Sequence, residues 1–303
     1  MTTAVQTVGV PNVWIARARF VVSTAIVWAG LHFAVGHLVL PTGLDRPLVL
    51  ISAQPGPLAG LLLIPVLWVG AAVATIVLAA RNQRGPLMVI GLALALWAFE
   101  GGRSGGTLDD WLILCHAEQG PATARAYWLL LGDYAYLLLA VAGAYVIAGM
   151  LSVRGSAGEE GASRPGEAPR AAAGAGALLI AAGVAVAAMV YLMGPNLADT
   201  RRGQVYFAVG VGFALGVYVA RKVVKVETRL WYWPAPLVAG VVSAVVAAIS
   251  PTLLIPEGYR EINTIPAWGP VRALPIEMVG VGLLISMWML PSSADEDSEE
   301  RAS

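Results

Sequence analysis

Residues 57–80 read PLAGLLLIPVLWVGAAVATIVLAA, more than 20 consecutive positions without a charged side chain. At 1.5 Å of rise per residue, about 20 apolar residues in a helix cross a hydrocarbon core ~30 Å thick. Residues 172–194 repeat the pattern, again above 20 residues with no charge. Outward from these two, six weaker apolar segments appear, at about 20–40, 86–104, 126–151, 203–220, 234–250 and 275–291. The third in chain order is the weakest, because Pro86–Phe99 is only 14 residues long before Glu100 interrupts it. Prolines bracket the last two. The sequence therefore predicts an all-α polytopic transmembrane helical bundle of about eight spans, within a range of seven to nine.

Composition agrees. Hydrophobic residues make up 58% of the chain and charged ones 13%, about half the charged share of a soluble protein. Mean hydropathy is +0.72. The 19 basic and 19 acidic residues cancel, so no general basic field points to a nucleic acid. Cys115 is the sole cysteine, which excludes an internal disulfide and a cysteine-built metal cluster. The partner implied is the lipid bilayer. Small-residue helices such as Ala171–Gly194 also suit a membrane-protein partner or a homo-oligomer.

Arg17 and Arg19 precede the first segment, as in a secretory signal. Val21–Leu40 is longer than a signal core, however, and Leu40-Pro41-Thr42-Gly43 offers no small-x-small cleavage site, so the segment reads as an uncleaved span. With both termini cytoplasmic, 12 basic residues fall inside and 7 outside, the asymmetry expected of a multi-pass protein of the plasma (inner) membrane. Trp14, Trp97, Trp111, Trp128, Trp231, Trp233 and Trp268 fall near span ends or in loops, where headgroups suit them. Trp28, Trp68 and Trp288 read as packing residues.

Four stretches organise the chain. Residues 1–151 form a first unit of about four spans, and 152–171 a Gly-, Ser-, Glu-, Arg- and Pro-rich cytoplasmic linker. Residues 172–291 form a second unit of about four spans, and 292–303 an acidic tail expected to be disordered. The halves share an outline. Pro41, Asp45 and Arg46 match Pro195, Asp199 and Arg201; Ala80-Arg81 matches Ala220-Arg221; Gly120-Pro121 matches Gly269-Pro270. Asp133 and Glu277 each lie early in the last helix of their half. Two four-helix units duplicated in this way would run parallel, not inverted. Chance recurrence of Pro, Gly and Arg in loops is the competing explanation.

Ionisable residues share one side. His32 and His37 lie in the outer part of the first span, Glu100 at the outer end of the third, Asp133 in the fourth and Glu277 at the start of the eighth. Asp109, Asp110, Cys115, His116 and Glu118 occupy a loop on that side. A carboxylate inside a span costs about 2.5–3.5 kcal/mol on insertion scales, so it faces the bundle interior, a partner or water. Asp133, Glu100 and His32 are candidates for a cavity lining or proton relay. The plain alternative for Asp133 is a carboxylate held by a hydroxyl such as Tyr134 or Tyr136. Five residues separate His32 from His37, about 140° on an ideal helix, so the two do not grip one metal as an i, i+4 pair would. His32, His37 and His116 remain weak metal candidates, and ordinary hydrogen-bonded histidines explain them better. No cofactor is identified.

Residues 101–125 open with Gly101-Gly102-Arg103-Ser104-Gly105-Gly106 and continue through Thr107-Leu108-Asp109-Asp110, which resembles an N-cap. A re-entrant element or an interfacial helix fits, the latter better. The long loop 251–274, with Glu257, Tyr259, Arg260, Glu261, Trp268 and Arg272, is a cavity cover or a solvated connector. Leu274-Pro275-Ile276-Glu277-Met278 resembles part of the Pro-x-Glu-Glu motif of the membrane-embedded lycopene cyclase family. That resemblance implies repeated helical units and carboxylates that assist protonation of a polyene. It covers these five residues alone, and Met278 stands where the family has its second Glu.

Three classes of function stay open. A small-molecule or ion carrier would use Asp133, Glu100 and His32 in an outward-facing polar cavity, and is narrowly preferred because nothing fixes a reaction. A membrane-embedded enzyme acting on a lipid or isoprenoid would use Asp133 and Glu277 as acid and base. A non-catalytic subunit or scaffold would need neither.

Overall fold

The computed structural model describes residues 13–39, 50–52, 54, 56–80, 82–101, 108, 124–153, 167–193, 202–224, 231–249 and 269–290. Eight α-helices occur among them: α1 (Val13–Gly30), α2 (Leu58–Leu78), α3 (Arg84–Gly101), α4 (Ala124–Val153), α5 (Glu167–Leu192), α6 (Arg202–Val223), α7 (Ala235–Ile249) and α8 (Pro275–Trp288). A π turn (Leu31–Val35) and a 3-10 turn (Gly36–Leu38) prolong α1, and a second 3-10 turn, Gly269–Arg272, precedes α8. No strand occurs among the described residues. Val13–Leu38, α2, Ala126–Ser152, Ala172–Leu192 and α6 are long and apolar enough to cross a membrane, and α7 and α8 are shorter apolar helices. The protein is an all-helical membrane bundle.

Two boundaries differ from the sequence reading. α1 starts at Val13, so Arg17 and Arg19 lie within the helix and not ahead of it. α5 starts at Glu167, so the last residues of the expected linker are helical. Residues 154–166 and the tail 292–303 lie outside the described residues. At the far end of α2, Ala79 takes a left-handed conformation (φ 49°), and the N–H groups of Ala79 and Ala80 bond to Ile76 O and Thr75 O, closing the helix's last carbonyls.

The helix pairing has a pattern. Within the first four helices, α1 touches α2 and α3, and α2 touches α4; within the last four, α5 touches α6 and α7, and α6 touches α8. Across the halves, α3 packs on α8 and α4 on α7. Adding four to each helix number carries the first set onto the second, and exchanges the two cross-pairings. The α2–α3 contact is the main departure.

α8 sits at the centre, against α3, α4, α6 and α7, and nearly all of its residues are buried. Lipid tails are as apolar as leucine, so close packing and not water exclusion must hold such helices together. Glycine provides that closeness. A methyl group added at Gly91 of α3 would lie 2.7 Å from Leu284 N of α8, and one at Gly280 would lie 2.7 Å from Ala95 N of α3. Gly212 and Gly216 of α6, four residues apart, face Ala185 and Ala181 of α5, and a Cβ at Gly216 would collide with Ala181 O. Elsewhere glycines receive aromatic rings: Gly60 takes Tyr136, Gly143 takes Trp68 and Gly240 takes Tyr134.

Two tryptophans depart from their assigned roles. Trp97 is buried beside Gly36, and Trp288 is largely exposed. Trp97 lies on the face of α3 turned to α1, whereas Trp288 ends the central helix where it leaves the packed core.

Gly216→Val is expected to lower stability by about 2 kcal/mol through overpacking against the α5 backbone. Gly183→Ala, where a Cβ meets nothing within 4 Å, should leave stability unchanged or raise it by up to about 1 kcal/mol. Tryptophan fluorescence during thermal unfolding in detergent reads both. A Gly216→Val protein as stable as the native one would refute the close crossing.

Candidate functional site

Asp133 lies about two and a half turns into α4 and is fully buried. Its two carboxylate oxygens accept the backbone N–H groups of Ile51 (3.1 Å) and Ser52 (2.6 Å), in the segment that leads into α2. Amides at this depth have no bulk water to bond, and an ionised acceptor gives them strong, short bonds. Gly132 makes room, since a Cβ there would come within 2.5 Å of Ser52 Oγ. The holders of Asp133 are thus backbone amides, not the hydroxyls of Tyr134 or Tyr136, whose rings pack on Gly240 and Gly60.

Glu277 lies in the first turn of α8, also buried, and divides its carboxylate between two tasks. One oxygen, Oε2, accepts the Leu274 N–H at 3.0 Å, a cap on the start of its own helix. The other, Oε1, faces Arg202 Nε at 2.9 Å. Arg202 opens α6, and its Nη1 donates to Ala98 O at 3.1 Å, among the last carbonyls of α3, where a cation also meets the negative end of the helix dipole. One turn along α6, the Tyr206 hydroxyl donates to Ala95 O at 2.8 Å. This set joins α3 of the first half to α6 and α8 of the second.

The π turn carries the third constellation. Its defining bond runs from Gly36 N–H back to Leu31 O, five residues, in place of the usual four. Five residues then complete about one turn, so His37 comes round to the side of His32 and their ring centroids lie 6.2 Å apart. The separation of 140° read from an ideal helix is therefore wrong here. His32 stacks on Trp28 (5.3 Å between centroids) and meets the edge of Phe33 (4.7 Å). Its Nδ1 lies 3.2 Å from Glu100 Oε2 at the end of α3, and the two side chains remain 35% and 33% exposed.

His32, Glu100, Arg202 and Glu277 thus gather at one end of the bundle, with Glu100 two residues from the Ala98 carbonyl that Arg202 binds. Asp133 stands apart at the approach to α2. Tyr134 lies within electrostatic reach of both Asp133 and Glu277. No group of three metal-ligating side chains occurs among the described residues, His32, His37 and Glu100 included. His116, Asp109, Asp110, Cys115 and Glu118 lie outside the described residues, as does most of loop 251–274. Of the latter, Arg272 is described and is buried.

Arg202 is the principal residue that the sequence reading did not single out. Opposite charges opening two helices on the same side were the available signal. At the opposite end, Arg84 donates to Met287 O (2.9 Å) and Trp288 O (3.1 Å), and Arg221 to Met289 O (3.0 Å), closing the last turn of α8. No protein-family model, curated protein or solved structure matches this chain.

Asp133→Leu removes the acceptor of two buried amides and is expected to cost about 3 kcal/mol, with Asp133→Asn costing about half of that. Thermal unfolding in detergent measures both. A leucine variant as stable as the native protein would show that the approach to α2 does not depend on this carboxylate.

Proposed function

We propose that the chain is a carrier of a small molecule or ion, with proton exchange at the His32–Glu100 pair. One observation carries this reading: an ionisable pair, each member about a third exposed, joins a π turn to the last turn of α3 at one end of the bundle. Ionisable groups within spans mark pathways and proton relays, and π turns recur at functional positions. Imidazole and carboxylate are both proton donors and acceptors, and each of these two side chains is about a third exposed.

The architecture supports the same reading. Two parallel four-helix units, meeting along α3–α8 and α4–α7, match the helix pairing and its repetition under a shift of four. Carriers made of repeats bind their cargo between them. Here Arg202 of the second unit, paired with Glu277, bonds to Ala98 of the first, two residues before Glu100. Asp133 moves from the relay to the frame, because its oxygens are engaged by Ile51 and Ser52. The arginines at the other end, Arg84 and Arg221, favour that end as the cytoplasmic one, with both termini inside the plasma (inner) membrane.

The test uses purified chain in vesicles with a trapped pH dye, challenged with small carboxylates, phosphates, amines and alkali cations. At least one class should drive a luminal pH change, and His32→Gln and Glu100→Gln should each slow it about tenfold or more without altering elution in detergent. If no class moves protons, or both variants run at the native rate, the carrier reading fails. A stable co-purifying membrane protein would then favour a scaffold.

A further inference from the structure

We infer that Arg202 holds an anionic oxygen group, a carboxylate or a phosphate, between α3, α6 and α8. Its transport role rests on the carrier reading, whose cargo it assigns to the small anions; the binding site itself does not.

A guanidinium carries five N–H donors in one plane. In Arg202, Nε faces Glu277 Oε1 and Nη1 donates to Ala98 O, whereas Nη2 is buried and has no partner among the described residues. The side chain as a whole is only 13% exposed. A buried donor left without an acceptor is destabilising, more so when the group is charged, so this position calls for one. Glu277 does not fulfil the requirement. It turns Oε1 to Nε while Oε2 caps Leu274, so the paired oxygens of one carboxylate do not clasp the fork side by side. Both side chains are thereby fixed in orientation, with two coplanar N–H groups presented on Nη2.

Carboxylates and phosphates offer the matching acceptors, and arginine is suited to them because its donors keep a fixed geometry. Charge points the same way. Arg202 is the first residue of α6, where the helix dipole is positive. Glu277 offsets the charge of Arg202, and Glu100, bonded to His32 at the neighbouring end of α3, offsets that of a protonated His32, so the attraction for an anion rests on the Nη2 donors and the helix dipole. A singly charged anion entering with a proton would leave the net charge of the site unchanged, which links ligand charge to the proposed proton exchange.

The experiment follows thermal unfolding of the full chain in detergent at constant ionic strength. Sodium phosphate and sodium succinate are titrated against a sodium chloride control. A parallel arm compares nanodiscs of phosphatidylglycerol with nanodiscs of phosphatidylcholine. A saturable rise in unfolding temperature with phosphate or succinate is expected, weakened about tenfold or more in Arg202→Lys, which keeps the charge facing Glu277 but lacks the second arm of the fork. Should that variant not fold, the neutral pair Arg202→Gln with Glu277→Gln replaces it. A rise confined to phosphatidylglycerol supports the site and identifies its ligand as a lipid headgroup. No response beyond chloride and phosphatidylcholine, or an undiminished response in the variant, overturns the site. Anion binding without vesicle flux would keep the site and end the carrier reading; flux indifferent to Arg202→Lys would do the reverse.

Discussion

Every charge and every backbone amide taken into hydrocarbon must find its partner within the protein. The buried end of this bundle is organised by that demand. Asp133 answers two amides ahead of α2, and Glu277 answers one amide and one guanidinium at the starts of α8 and α6. Each is a carboxylate near the start of the last helix of its half, holding the approach to the second helix of that half. Buried pairs of this kind contribute little net stability compared with an apolar isostere, yet losing one member costs several kcal/mol. They fix which arrangement of helices is tolerated more than they strengthen it.

Small residues accomplish in the middle of the bundle what charges do at its end. Gly91, Gly280 and Gly216 let backbones approach until side chains of any size would collide, and Gly212 leaves a Cβ only a tight fit. The aromatic residues Tyr134, Tyr136 and Trp68 fill glycine notches on neighbouring helices. Polar partnering at the ends and steric fit along the middle therefore specify the same crossings.

The helices were legible because membrane thickness imposes a length on them. Residues 57–80 gave Leu58–Leu78, and 234–250 gave Ala235–Ile249. The sidedness of the ionisable groups was legible too, since His32, Glu100 and Glu277 do share one end with Arg202. What bonds to what was not. Asp133 is held by main-chain amides of Ile51 and Ser52, and a main-chain donor leaves no signature in residue type. The facing of His32 and His37 was misjudged because 100° per residue describes an α-helix and not a π turn. Trp97 was placed by its nearness to a helix end, whereas its burial depends on which face of α3 meets α1.

α8 is fastened at both extremities, by Arg202 at one and by Arg84 and Arg221 at the other, and these arginines come from both halves. A rod pinned top and bottom and surrounded on every flank cannot tilt or slide without breaking several fastenings together. It is therefore the fixed reference against which the helices of both halves pack. α1, which packs mainly on α2 and α3, is the helix whose winding departs from α geometry, at the turn Leu31–Val35.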